Sequence, residues 1–297
     1  SFAQMLNDDP ELEIFVWVDS PESAALTRRG YEGSTRPLNV LVDRGGPGAR
    51  TGSRTLTECV ATARAVRDAP NLRLAGVAAW EGSLEGSHGT EGRAIVTRFC
   101  GEVADTFRAL IHEGLLQPAD HPVLTGGGSA FFDIVTAEWA PLRDLGARIV
   151  LRSGCYLTHD DGEYAHLSPF GRDTGVALKP ALHVWAQVIS RPEPELALLN
   201  AGRRDVPYDM GLPVPQLVRG RDAQSAKRAL ANSCVSAVND QHGYLVLDAD
   251  SNLALGEVVR MGISHPCTAF DKWTTIPVID DADAADPRVI GAVRTYF

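Results

Sequence analysis

His265-Pro266-Cys267 sets an imidazole and a thiol two residues apart near the C-terminal end of the chain. In extended backbone, residues i and i+2 point to one face, so both side chains can reach a single ion. Neutral imidazole with thiolate suits Zn2+, and two protein ligands leave positions for water or substrate. The competing reading is a buried cysteine beside an incidental histidine, and two residues alone favour it. His88, His112, His159, His166, His183 and His242 have no metal-ligand spacing and read as surface or core histidines.

Three turns carry the remaining chemistry. Asp43-Arg44-Gly45-Gly46-Pro47-Gly48-Ala49-Arg50-Thr51-Gly52 lies between an expected strand and an expected helix. Its glycines let backbone approach an anion, and Arg50 emerges where α/β proteins bind ligands, at the carboxyl end of a strand. Taken alone, a flexible turn with a solvated arginine is slightly preferred. Thr125-Gly126-Gly127-Gly128-Ser129 follows another strand and opens onto a helix near Phe131. Its successive N–H groups, with the hydroxyls of Thr125 and Ser129, suit a phosphate. Three glycines in a row exceed what a tight turn needs, so here the phosphate is preferred. Arg152-Ser153-Gly154-Cys155-Tyr156 follows a further strand. No nearby base activates Cys155, which reads as a packed thiol. Arg152 and Tyr156 are candidates for contact with an anion or an aromatic ring.

The elements that position these turns alternate in the first half. Leu12–Val18, Leu38–Val42, Leu72–Val77, His121–Leu124 and Ala147–Leu151 read as strands. Asp19, Ser20 and Pro21 supply cap and first-turn chemistry for a helix through Arg28. Thr55–Arg67 is a helix with Leu56, Val60, Ala63 and Val66 on one face, and a long helix runs from about Ala94 to Leu115. Strands separated by helices imply βα units on a parallel sheet. After Arg152, prolines punctuate short apolar runs at Leu182–Ile189, Tyr244–Leu247 and Leu255–Val259, with one helix expected over Ala223–Leu230. This half reads as a β-rich domain. The expected division is 1–154, later βα units of a barrel, and 155–297, a β-rich domain carrying the metal motif. A closed (β/α)8 barrel needs eight strands, and five are read here.

Composition excludes some classes of function. The chain has 297 residues, 44% hydrophobic and 22% charged, the mix of a globular protein. The net charge of −10 disfavours a nucleic-acid or anionic-lipid partner. No apolar run is long enough to span a membrane. No signal peptide is read at the N-terminal end. Five cysteines, odd in number and without a CxxC pair, argue against a disulfide framework and for a reducing, cytoplasmic setting.

The three turns, the following β domain and His265-Pro266-Cys267 together resemble the fold-type III pyridoxal-phosphate enzymes. Within these, the resemblance is to the D-serine dehydratase, D-threonine aldolase and amino-acid deaminase group related to alanine racemase. It runs from about Leu12 to the C-terminal end. Arg50-Thr51-Gly52 resembles the Arg-x-Gly that reaches the phenolic side of the cofactor. Thr125-Gly126-Gly127 and Gly154-Cys155-Tyr156 resemble the two phosphate-proximal turns. His265 and Cys267 are similar to the Zn2+ pair of eukaryotic-type D-serine dehydratases, where aldolases tend to have His-x-Asp.

The resemblance implies a partial (β/α)8 barrel of the alanine racemase type followed by a β-rich C-terminal domain. It implies pyridoxal 5′-phosphate, held by Arg50, Thr125, Gly126, Gly127, Ser129, Arg152, Gly154, Cys155 and Tyr156, and Zn2+ held by His265 and Cys267. It implies a lyase that removes water and ammonia from a β-hydroxy D-amino acid such as D-serine, with retro-aldol cleavage as the alternative on the same scaffold. Trp80, Glu81 and the loop after them are expected on the substrate side. The partners expected are a small D-amino acid and a second copy of the chain, with no nucleic acid and no membrane. The family's Schiff-base lysine sits on the first barrel strand. The only lysines here are Lys179, Lys227 and Lys272, none of them after an early strand, so no catalytic residue is assigned. The chain is therefore expected to match the later barrel strands and the β domain, and to show no turnover without a segment bearing that lysine. Readings from other classes are a phosphate-binding remnant without catalysis, a cofactor carrier, and a zinc hydrolase without pyridoxal phosphate.

Overall fold

The computed structural model describes residues 1–297 except 85–90, 172–174, 221–226 and 285. The chain divides into two bodies, Ser1–Gly154 and Cys155–Phe297.

In the first body, α1 (Phe2–Asp8) precedes five strands alternating with four helices: β1 (Phe15–Val18), α2 (Pro21–Gly30), β2 (Leu38–Arg44), α3 (Leu56–Arg67), β3 (Leu72–Ala79), α4 (Gly92–His112), β4 (Val123–Gly126), α5 (Phe132–Trp139) and β5 (Arg148–Leu151). The strands form one parallel sheet in chain order, β1-β2-β3-β4-β5. Every residue of β2 is buried, which explains its unbroken Leu-Asn-Val-Leu-Val run; a parallel strand covered on both faces does not alternate. The helices start where capping chemistry dictates. Ser20 and Thr55 each close a capping box, with Ser23 and Glu58. Helix α4 buries Val96, Phe99, Cys100, Val103, Phe107 and Leu110, the three- and four-residue spacing of one helix face. This ladder places the carboxyl ends of all five strands, and the motif loops that follow them, along one edge of the sheet.

The second body contains α6 (Glu163–Leu167), β6 (His183–Glu193), β7 (Leu196–Leu199), β8 (Val214–Arg219), β9 (Arg228–Ala229), β10 (Cys234–Val238), β11 (Gly243–Val246), β12 (Val258–Gly262), α7 (Pro266–Phe270), β13 (Thr275–Ile279) and β14 (Val289–Arg294). Seven strands form an antiparallel sheet in the order β10-β11-β7-β6-β12-β8-β9, and β13 pairs with β14 as a hairpin. Its core is built on Val188, Leu199, Val218, Leu245, Val259 and Met261.

Two expectations are corrected. Arg228–Ala229 is not helical but pairs with Leu217 and Val218 as a strand, while residues 221–226 of the expected helix lie outside the described residues. Edge pairing overrides a weak helical pattern there. The His265-Pro266-Cys267 segment is not a run of strand. His265 is extended at φ −154°, but Pro266 occupies the first turn of α7 and Cys267 follows it inside the helix. The proline ring fixes φ at a helical value, so it starts the helix that the alternation argument did not allow for.

Candidate active site

In the first body, the loop after β2 is closed by backbone. Ser53 N–H donates to Asp43 O at 2.9 Å and Gly45 N–H donates to Ser53 O at 3.0 Å. Gly52 adopts φ +108°, and a Cβ there would lie 2.3 Å from Gly45 N, so only glycine fits. The Arg54 guanidinium stitches the loop from inside, donating to Ala49, Thr51 and Gly52 carbonyls at 3.1, 2.9 and 2.9 Å, and also to that of Arg50. The Arg50 side chain is thereby presented over the Trp80 ring, 4.0 Å from its centroid.

Arg44, Arg50, Arg152, Asp43, Trp17 and Trp80 line a cleft of about 300 Å3 at this end of the sheet. Arg152 donates to Ala79 O at 2.8 Å, approaches Thr125 Oγ1 at 3.4 Å, and stands 5.2 Å from the Trp17 ring centroid. Burial pushes its guanidinium below the ordinary value, with Glu81 and Asp43 pulling the other way. Burial also raises the Asp43 carboxyl, against a 2.8 Å hydrogen bond from Thr51 and the charge of Arg152. Arg44 is turned aside to Glu102 at 3.0 Å.

The glycine loop after β4 donates to a carboxyl group of the chain itself. Gly127 and Gly128 N–H donate to the two oxygens of Glu81, at 3.2 and 2.6 Å. Glu81 is 1% exposed. Its carboxylate occupies the cradle that the sequence assigns to a phosphate. The glycines are required by space: a Cβ on Gly126 would meet Trp139, and one on Gly127, at φ +77°, would meet Leu151. The Thr125 hydroxyl donates to Val150 O at 2.9 Å, so its proton is spent on β5. Ser129 is half-buried, and Gly154 has open space around it.

In the second body, Cys155 is buried and Tyr156 is 45% exposed. Cys155 Sγ lies 3.6 Å from Cys267 Sγ. This contact, with burial added, pushes the Cys267 thiol up, and burial pushes the Tyr164 hydroxyl beside the pair up as well. His265 Nδ1 is 2.6 Å from Asp209 Oδ2, and Thr268 Oγ1 donates to Asp209 Oδ1 at 2.8 Å. A carboxylate only accepts, so the neutral ring carries its proton on Nδ1 and offers its lone pair on Nε2. Burial alone would lift the Asp209 carboxyl, but the bonds from Thr268 and His265 hold it below the usual range. Among the described residues no three His, Cys, Asp or Glu side chains gather at metal-holding distance. His265 Nε2 and Cys267 Sγ are an imidazole and a thiol, a donor pair that fits zinc with positions left open.

Asp209, Arg54 and the anion role of Glu81 escaped the sequence reading. Asp209 is 56 residues from His265, and Glu81 is 47 from Gly128, so no local spacing announces either. Arg54 stands two residues after Gly52 and carries no motif. His88 lies outside the described residues. The three lysines all belong to the second body: Lys179 is exposed, Lys227 donates to Asp283 O, and Lys272 sits over the Tyr208 ring at 5.4 Å.

Comparison with known proteins agrees with this architecture. The family model described as "Putative serine dehydratase domain" matches residues 181–279. The chain is 26% identical over 283 residues to a D-threonine aldolase of an Arthrobacter species, covering 94% of this chain and 67% of that protein. It is 28% identical over 268 residues to the 3-hydroxy-D-aspartate aldolase of Paracoccus denitrificans, covering 86% of this chain and 59% of that one. The crystal structure of D-threonine aldolase from Filomicrobium marinum superposes with a TM-score of 0.72 at 25% identity, covering 94% of this chain and 68% of the other. Alanine racemase from Bacillus anthracis shares the fold at a TM-score of 0.52 and 14% identity, over 94% and 73% of the two chains. The protein is thus an alanine racemase-type α/β unit followed by a β-rich domain. Within that class its similarity runs to D-threonine and 3-hydroxy-D-aspartate aldolases. The chain spans between about three-fifths and two-thirds of the length of these curated relatives.

Proposed function

We propose that the protein is a pyridoxal-phosphate- and zinc-dependent lyase that removes water and ammonia from a β-hydroxy D-amino acid such as D-serine. The observation that carries this reading is the anion cradle of Gly127 and Gly128, filled by the Glu81 carboxylate, beside a cleft lined by Arg50 and Arg152. A carboxylate there is a stand-in for a phosphate oxygen, and paired backbone N–H groups suit either. Thr125, Gly126, Gly127 and Ser129 would hold the phosphate, which would compete with Glu81 for the two amides, and Gly154, Cys155 and Tyr156 are the further phosphate-proximal candidates. Arg50 and Arg152 would contact the ring. His265 and Cys267 would hold the zinc.

When bound, pyridoxal phosphate supplies the sink for charge developing at Cα, and zinc supplies a Lewis acid for the β-hydroxyl. The chain's residues bind and orient. The Arg50 guanidinium is fixed by its Trp80 face and by the carbonyls that Arg54 ties down. Arg152 is held by Ala79 O in a partly buried site, where its charge acts with less screening than in water. His265 offers Nε2 because Asp209 holds Nδ1. In the net reaction the hydroxyl leaves as water, the amino group as ammonia after hydrolysis, and a keto acid remains.

The imidazole–thiol donor set supports dehydration. The aldolase names of both curated relatives support the second reading, retro-aldol cleavage of the Cα–Cβ bond, which yields glycine and an aldehyde from a β-hydroxy amino acid. The net charge of −10 is in keeping with a small-molecule substrate and with neither nucleic acid nor membrane as partner, and five cysteines without a CxxC pair support a cytoplasmic setting. Among the described residues no helix is long and apolar enough to cross a membrane. The exposed Val289, Ile290 and Val293 of β14 support a homodimer. Product analysis of the natural protein with D-serine, D-threonine and D-3-hydroxyaspartate, pyridoxal phosphate and Zn2+ tests the reading. Keto acid and ammonia are expected; glycine and aldehyde would move the assignment to the aldolase, and no product from any of the three would overturn it.

A further inference from the structure

Asp209 lies in the segment between β7 and β8, far in sequence from the motif it touches. One oxygen takes His265 Nδ1 at 2.6 Å and the other takes the Thr268 hydroxyl at 2.8 Å. Two further side chains tie the same segment to the same stretch of chain. Ser264 Oγ donates to Gly211 O at 2.6 Å, and Trp273 Nε1 donates to Asp205 O at 2.9 Å. Residues 205–211 are therefore strapped across 264–273 at both ends, with Asp209 in the middle of the strap.

A plain ion pair is a poor account of this arrangement. The Asp209 side chain is 43% exposed, and exposed pairs contribute little. The His265 side chain is only 16% exposed, and the carboxylate is held at both oxygens, by His265 at the N-cap of α7 and by Thr268 inside it. What the geometry does fix is which ring nitrogen of His265 is bare. An imidazole held through Nδ1–H cannot flip or change tautomer without losing that bond, and its Nε2 lone pair keeps one direction.

We propose that Asp209 is a positioning residue for a divalent zinc ion at His265 and Cys267, and that Thr268 positions Asp209 in turn. The proposal rests on the zinc reading above. It adds that metal affinity is set by a residue that never touches the metal, as when a carboxylate orients a liganding histidine and raises its basicity.

The test is Zn2+ affinity by competition with a chromophoric chelator, on the full 297-residue chain and its Asp209→Ala, Asp209→Asn, Thr268→Val and His265→Ala variants. Loss of an outer partner of this kind weakens metal binding about 10- to 100-fold. Asp209→Ala is expected in that range. Asp209→Asn should lose less, because its amide oxygen still accepts from Nδ1–H, and Thr268→Val should lose least. Side-chain 15N shifts of the metal-free protein add a readout that a merely structural role would not move. His265 should show protonated Nδ1 in the wild type and a mixed tautomer in Asp209→Ala. If Asp209→Ala and Asp209→Asn bind zinc like wild type while His265→Ala does not, the positioning role is overturned and the zinc site stands. If His265→Ala also binds like wild type, the zinc reading fails and the proposal with it. Thr268→Val keeps the test open should Asp209→Ala fail to fold.

Discussion

Cys155 and Cys267, 112 residues apart in sequence, bring their Sγ atoms to 3.6 Å. One belongs to the turn after β5 and the other to the first turn of α7. Both are thiols, and Cys267 is exposed while Cys155 lies buried beside it. A disulfide needs the sulfurs at about 2.05 Å, within reach of small side-chain rotations from this start. Treatment with diamide, which takes up the two hydrogens, is expected to link them within one chain. Peptide mapping should find the 155–267 crosslink, and saturating Zn2+ should slow its formation by occupying Cys267. A crosslink rate unchanged by zinc would argue that Cys267 is not a ligand.

The Glu81 carboxylate and the Gly127 and Gly128 amides form a closed account of donors and acceptors. Glu81→Ala removes the acceptor that Gly127 N–H has in a buried setting and Gly128 N–H in a partly buried one. Each buried group left unmade costs about 1–3 kcal/mol. Urea unfolding should show a loss of about that size. Added inorganic phosphate should recover part of it in Glu81→Ala and little in the wild type, because the freed amides accept a new anion. Equal phosphate effects on both would mean that the loop is not the phosphate cradle.

How much of this was legible in the sequence follows from distance along the chain. Ser20 and Thr55 declared their helices because a cap acts over three residues, and Val60, Ala63 and Val66 declared the buried face of α3 through their spacing. Leu56, placed on that face by the same count, is 43% exposed, because it is the first residue of α3 and falls at the helix edge. The glycines of the two first-body loops were legible because only glycine satisfies their backbone. The β-rich half was less so. Arg228–Ala229 is a strand only because β8 offers it a partner, and the β13–β14 hairpin has no tight two-residue turn to announce it. Asp209 and Glu81 act across 56 and 47 residues, where local pattern carries no information.

Asp43 gives a pH dependence of defined sign. Burial holds its carboxyl above the ordinary value of 3.8 in the folded chain. Between 3.8 and the raised folded value, the folded state therefore binds more protons than the unfolded state. Stability must then fall as pH rises through that window, and the loss is complete once the folded carboxyl has ionised. Asp43→Asn cannot ionise. The difference in unfolding free energy between wild type and Asp43→Asn, followed by urea titration from acid to neutral pH, should drift against the wild type as pH rises. A flat difference would show that Asp43 ionises in the folded state as easily as in water.

The central claim is that the chain recognises a phosphorylated pyridine ring. Calorimetric titration of the 297-residue chain with pyridoxamine 5′-phosphate tests it most directly, because this ligand lacks the aldehyde that would react with Lys179, Lys227 or Lys272. Saturable one-to-one binding is predicted, weakened at least tenfold in Arg152→Ala and tightened in Glu81→Ala. Unphosphorylated pyridoxamine should bind far more weakly. No heat of binding, or binding indifferent to Arg152, Glu81 and the phosphate, would contradict the account.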